Sequence, residues 1–186
     1  MTLRLNGSNS GFTEVKAPAT AGSNTITLPT SNGSANQFLR NNGTAGTLGF
    51  ANGGKILQVV MGTTTSRTTT NSTTFVDTNL SVSITPASTS NKVLIIAHES
   101  LYASTSSGAG YFEIARGSTA LSGQNNGFAS VSSTTNAFFP AAVTFLDSPS
   151  TTSATTYTLQ VRANSAANVL AGDNNKGVII AMEVES

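Results

Sequence analysis

The sequence predicts an all-β protein, an extended N-terminal β arm followed by a two-sheet β-sandwich or jelly-roll head. Three observations carry this. No window of useful length repeats its apolar residues with the period of a helix, whereas short apolar/polar alternations recur along the chain. Turn signals built on Gly, Asn, Ser and Pro separate those alternations. Charged residues make up only 9% of the chain, against about 25% in an average domain. Uncharged Ser, Thr, Asn and Gly take their place, which suits the outer faces of strands and not the surface of helices.

The arm, residues 1–54, opens with Leu3 and Leu5 and the turn cluster NGSNSG. The stretch from Phe12 to Phe50 then reads FTEVKAPATAGSNTITLPTSNGSANQFLRNNGTAGTLGF. Its apolar residues come in isolated pairs: Phe12 with Val15, Ile26 with Leu28, Phe38 with Leu39, Leu48 with Phe50. A faint internal repeat, PATAGSN from Pro18 and PTSNGSAN from Pro29, runs through it. Brief strands joined by Asn-Gly turns are expected. So thin an apolar content cannot offset the ordering entropy of the segment on its own, so the arm is expected to share a core with copies of itself or with a neighbour. Those eight residues are its candidate contacts.

AsnGlyGly at 52–54 marks the boundary, and residues 55–186 form the head. KILQVVM at 55–61 is the first strand. The run TTTSRTTTNSTT at 63–74 is too polar for a core and reads as a long exposed loop or an edge strand. Leu80, Val82 and Ile84 alternate with Ser81 and Ser83, and Pro86 begins the turn PASTSN. KVLIIAHESLY at 92–102 is apolar on both faces at its start, which places it centrally in a sheet. SSGAG at 106–110 reads as a turn, followed by strands at 111–116 and 128–131. AFFPAAVTFL at 137–146 is a strand in which Pro140 requires an edge or a bulge. Tyr157, Leu159 and Val161 alternate with Thr158, Gln160 and Arg162. Val169 and Leu170 lead to the turn GDNNKG, and 177–184 closes the chain with Val178, Ile180, Met182 and Val184 on one face. About eight strands result, the number of a sandwich or jelly roll.

Composition excludes several functions. A net charge of +1 with no clustered Lys or Arg leaves no electrostatic footprint for nucleic acid. The longest apolar runs, VLIIA and GVIIAM, are too short for membrane insertion as a helix. Without cysteine there is neither disulfide nor thiolate metal site. His98 is the only histidine, on one strand face with Leu94 and Ile96. A triad would need it beside an activated Ser and an Asp such as Asp147 or Asp77, and no G-x-S-x-G elbow is present. The better reading of His98 is a buried or interfacial side chain. The carboxylates Glu14, Asp77, Glu99, Glu113, Asp147, Asp173, Glu183 and Glu185 offer a glycosidase pair no aromatic sugar platforms, since there is no Trp and only three Tyr. GDNNKG starts like a calcium loop but lacks its closing Glu. The NGS, NGT and NST triplets fit the glycosylation sequon but read as turn chemistry without an export signal. No catalytic group, cofactor or metal is expected.

The arm segment APATAGSNTITLPTSNGSANQFLRNNGTAGTLGFAN at 17–52 resembles segments of phage virion appendage proteins, particularly those of cyanophages and other marine phages. GKILQVV at 54–60, SVSITPASTSNKVLI at 81–95 and FLDSPSTTSATTYTLQVR at 145–162 are similar to the distal β-sandwich heads of such proteins. The resemblance implies a homotrimer with intertwined arms and heads packed like tumour-necrosis-factor-like jelly rolls. It implies a virion-surface protein, made in the host cytoplasm: a capsid decoration (cement) protein bound to the major capsid protein or another virion component, or a tail-fibre or tailspike protein that recognises a host receptor. The arm begins almost at Met1, with no separate adaptor or long shaft ahead of it, which favours the short knob on the capsid. For the receptor reading the exposed loops are those at 63–74, 103–110 and 117–127.

Overall fold

The computed structural model describes residues 2–6, 8–16, 18–20, 22–34, 37–52, 55–104, 108–133, 137–164, 168–172 and 175–185. The expected turn at GDNNKG and the AsnGlyGly boundary fall partly outside them. The chain is all-β, with 62% of it in strands and no helix among the described residues. It divides into two units, Met1–Gly53 and Gly54–Ser186.

The first unit holds two separate hairpins. Strands β1 (Thr2–Asn6) and β2 (Phe12–Lys16) pair antiparallel, and Gly11 supplies the positive φ that the turn between them needs. Strands β3 (Gln37–Asn41) and β4 (Leu48–Asn52) form the second hairpin. Its loop is held by local chemistry: the Asn41 Oδ1 accepts from Gly43 N at 2.8 Å, and the Asn42 Oδ1 from Thr44 N at 3.1 Å. Residues 22–34, where the sequence suggested a brief strand around Ile26 and Leu28, form only one parallel bridge, Thr27 to Thr47. Thr27 N donates to Gly46 O at 2.7 Å, and Leu48 N donates to Thr27 O at 2.9 Å. The approach is so close that a side chain at Gly46 would overlap the Thr25 carbonyl. No described residue of this unit is buried.

The described residues of the second unit form eleven strands: β5 (Ile56–Thr64), β6 (Thr68–Thr70), β7 (Val76–Ile84), β8 (Lys92–Ser104), β9 (Gly108–Arg116), β10 (Thr119–Ala120), β11 (Ala129–Ser133), β12 (Ala137–Asp147), β13 (Thr155–Ala163), β14 (Asn168–Ala171) and β15 (Gly177–Val184). They make two sheets. In one, β7 pairs β13, β13 pairs β9, and β9 pairs both β11 and β10. In the other, β5 pairs β15, β15 pairs β8, and β8 pairs β12 along its other side. Where β15 stops at His98, β8 continues against β14, which in turn pairs β6.

Both sheets face one core. Leu80, Val82 and Ile84 of β7, Ile114 of β9 and Tyr157, Leu159 and Val161 of β13 meet Val93, Ile95 and Leu101 of β8, Val143 of β12 and Ile179 of β15. Strict alternation on β7 and β13 puts their apolar residues inside and Ser, Thr and Asn outside. At one side of the core β5 and β7 come so close that a side chain on Gly62 would overlap the Ser81 carbonyl. Pro140 lies on β12, which pairs only with β8 among the described residues, an edge position of the kind where proline is found.

Two expectations need correction. Gly108–Gly110 of the SSGAG segment are not a turn but the start of β9, where Gly110 leaves room for the Val169 methyl groups. The 63–74 run is neither wholly loop nor one edge strand: Thr63 and Thr64 end β5, and Thr68–Thr70 form β6.

Candidate functional site

The eight arm residues remain largely open to solvent. Ile26 and Leu28 are 67% and 66% exposed, and Phe12, Val15, Phe38, Leu39 and Phe50 are exposed as well; Leu48 is half-buried. The pairing register sorts them. Leu3 stands opposite Val15 and shares its face with Leu5, whereas Phe12 lies on the other face, under the Arg4 guanidinium at 3.5 Å. Leu39 stands opposite Phe50 and shares its face with Leu48, while Phe38 points the other way. The structure thus brings Leu39, Leu48 and Phe50 together, keeps Phe12 and Val15 apart, and leaves Ile26 and Leu28 on an extended segment of their own.

In the head, four carboxylates are buried that no local sequence pattern places inside. Asp147 on β12 accepts two bonds from the Arg116 Nη1, at 2.8 and 2.7 Å, and one from the Tyr157 hydroxyl at 2.7 Å. Burial, then the bond to the Asp147 carboxylate, pushes the Tyr157 phenol far up. Glu113 accepts from Ser122 N at 3.0 Å and from the Ser122 hydroxyl, tying the segment after β10 to β9. Glu183 accepts from Asn91 Nδ2 at 2.6 Å, Gln58 Nε2 at 2.6 Å and Ala87 N at 2.7 Å. Burial works against its charge, but these bonds and one from the Ser88 backbone hold the carboxyl below its usual range. Glu99 sits where β8 changes partners, packed on Gly172 and Gly177, and its Oε1 has no hydrogen-bond partner among the described residues. Desolvation pushes it up to about 7, against a bond from the Ser100 backbone.

These groups are structural ties. Even Glu99, its chain neighbour, points to the opposite side of the sheet from His98, which is exposed on the outer face between Val178 and Ala142. Asp147 points from the inner face of that sheet, and Asp77 lies on the outside of the other, so neither joins His98 in a triad. Among the described residues no three His, Asp or Glu side chains gather as a metal site.

The two outer sheet faces differ in chemistry. The β7–β13 face shows Asp77, Asn79, Ser81, Ser83, Thr156 and Thr158, with Ser83 bonded to Thr156 at 2.6 Å and Gln160 to Asp77 at 2.7 Å. The face of β5, β15, β8 and β12 is mostly apolar, with Thr63 and Thr144 at its two outer strands. Val59 stands opposite Met182, and Met182 opposite Leu94, which is opposite Leu146; Met61, Ile180 and Ile96 make a second row. Sequence reading found the stripe Val178, Ile180, Met182, Val184; the structure turns it outward and gives the core Ile179, Ala181 and Glu183 instead.

Two of the three expected loops converge. Thr73, Thr74 and Phe75 meet Ala120, Gln124 and Asn125 around a shallow depression of about 460 Å³. Arg162 lies at its floor, 4.0 Å from the Tyr111 ring centre and bonded through Nη2 to Asn125 O at 2.9 Å and Asn126 Oδ1 at 2.8 Å.

No protein-family model matches the chain, and no curated protein matches it in sequence.

Proposed function

We propose that this is a non-enzymatic structural protein of a phage virion surface, a homotrimeric capsid decoration (cement) protein whose arm attaches it to the head. The observation that supports this best is the arm itself. Its hairpins bury none of their described residues, yet present aliphatic and aromatic side chains on several faces. Such a segment gains stability only by docking, and burying one aliphatic side chain contributes about 1.5–3 kcal/mol. The capsid surface is the docking partner that the resemblance of residues 17–52 implies.

The strand order favours a jelly-roll head. Of the eight principal strands, the first pairs the last (β5–β15), the second the seventh (β7–β13), the third the sixth (β8–β12) and the fourth the fifth (β9–β11). That is a long antiparallel hairpin rolled into two sheets.

A second reading, a tail-fibre-like receptor-binding protein, is supported by the depression between the 63–74 and 117–127 segments, whose hydroxyls, amides and Phe75 suit a host glycan. Labelling intact particles separates the two: signal on the head supports decoration, and signal at the tail tip removes it. Deleting residues 1–52 should leave a folded head that no longer binds particles.

A further inference from the structure

We infer that the outer face of the β5–β15–β8–β12 sheet is the surface on which a second copy of this chain packs. This rests on the reading of the protein as self-associating and adds the face that does it.

Three properties of the face argue for burial. It is continuous: Val59, Met182, Leu94 and Leu146 run across all four strands in register, and Met61, Ile180 and Ile96 run beside them. Its β5 residues are the most open, Val59 at 58% and Met61 at 60%. Its strands are apolar on both faces, as in KVLIIA and GVIIAM, a pattern found where both faces of a sheet are covered. The other sheet, in the same chain, keeps a polar exterior, so an apolar exterior is not a habit of this sequence.

Size and charge point to a second copy as the occupant. Four strands about 4.8 Å apart, each near nine residues at about 3.4 Å, give roughly 600 Å², near the ~800 Å² that each partner contributes to a standard interface. Among the described residues the titratable side chains on the face are Lys92, His98 and Tyr102, with no carboxylate. A basic partner would find no carboxylate to pair with, whereas two such faces meet without like-charge crowding at their centre. The arm of the chain offers apolar residues in isolated pairs between Gly, Ser and Asn, too sparse to cover a sheet of this area.

The test uses the full chain. Sedimentation should give a multiple of the monomer mass, and Met61 should resist peroxide oxidation at concentrations where the assembly forms. Met61→Lys and, separately, Ile96→Lys should yield folded monomers with unchanged circular dichroism. A wild-type monomer would overturn self-association itself. Wild-type assembly that persists in both variants, with Met61 oxidised at the rate of a free peptide, would overturn this face alone and leave association to the arms. If a variant fails to fold, Met61 protection in the wild-type chain decides: strong protection lost on dilution to monomer supports the face, and protection that survives dilution overturns it in favour of cover by the chain's own arm.

Discussion

Arg116 on β9 and Asp147 on β12 belong to different sheets, and their side chains meet at 2.7 Å at the margin of the core. The Asp147 carboxylate also accepts a hydrogen bond from the hydroxyl of the buried Tyr157, so one acid ties three strands. Asp147→Ala should destabilise the head by about 3 kcal/mol, because it strands a buried phenol as well as a guanidinium. Arg116→Ala should cost less, about 1 kcal/mol, since Arg116 is partly solvated. Urea unfolding of both variants and of the double variant measures the coupling. Equal losses from the two single substitutions would mean that Tyr157 finds another partner.

Glu183 makes stability depend on acid. Its carboxyl is held below the ordinary 4.5 by the bonds from Asn91, Gln58 and the 87–88 backbone. A depressed acid contributes stability above its unfolded value, and that contribution is lost as pH falls through the folded value. Glu183→Gln should therefore lower Tm at pH 6–7, and the gap to the parent should close below about pH 4. Thermal melts of the two proteins across that range check it; a gap that widens in acid would contradict the assigned direction.

Glu99 has the opposite sign. Its folded value, pushed up to about 7, lies above the ordinary 4.5. The folded chain holds a proton that the unfolded chain has released, so the group's contribution is complete below pH 4.5 and is lost as pH rises through 7. Glu99→Gln should match the parent near pH 4.5 and exceed it by about 3 kcal/mol at pH 8. Chemical denaturation at both pH values provides the comparison.

What the sequence made legible follows from these residues. Leu80, Val82 and Ile84, and likewise Tyr157, Leu159 and Val161, alternate with hydroxyl residues because one face of each strand meets the core and the other meets water. That pattern needs no partner information to be read. On β15 the larger residues Ile180 and Met182 face outward while Ala181 and Glu183 face the core, so the rule that the bulkier face lies inside fails. The warning was in the letters: GVIIAM has no polar face, and such a strand does not say which side is the core. The buried carboxylates were illegible for another reason. Glu183 is satisfied by Asn91 and Gln58, 92 and 125 residues away along the chain, and no local pattern announces such partners. In the arm, the apolar pairs were plain, but their sorting onto faces depended on hairpin register, which the Asn-Gly turns alone did not fix.

That sorting makes the arm testable residue by residue. Ile26 and Leu28 flank a single backbone bridge at Thr27, and neither is held by the fold. Replacing both with Ser should change head stability by less than about 0.5 kcal/mol, as for exposed positions generally. On the proposed reading the same change removes two aliphatic side chains from a docked surface, a loss of about 3 kcal/mol or more than a hundredfold in particle affinity. Leu39→Ser should act likewise, since Leu39 lies on the Leu48–Phe50 face of its hairpin. Phe38→Ser, on the opposite face, distinguishes a one-sided contact from an arm wrapped on all sides: unchanged affinity means one face docks, and a comparable loss means both do. Co-sedimentation of each variant with particles, alongside its melting curve, reads the two effects separately. Full retention of binding by the Ile26/Leu28 double variant and by Leu39→Ser together would remove the arm as the attachment element.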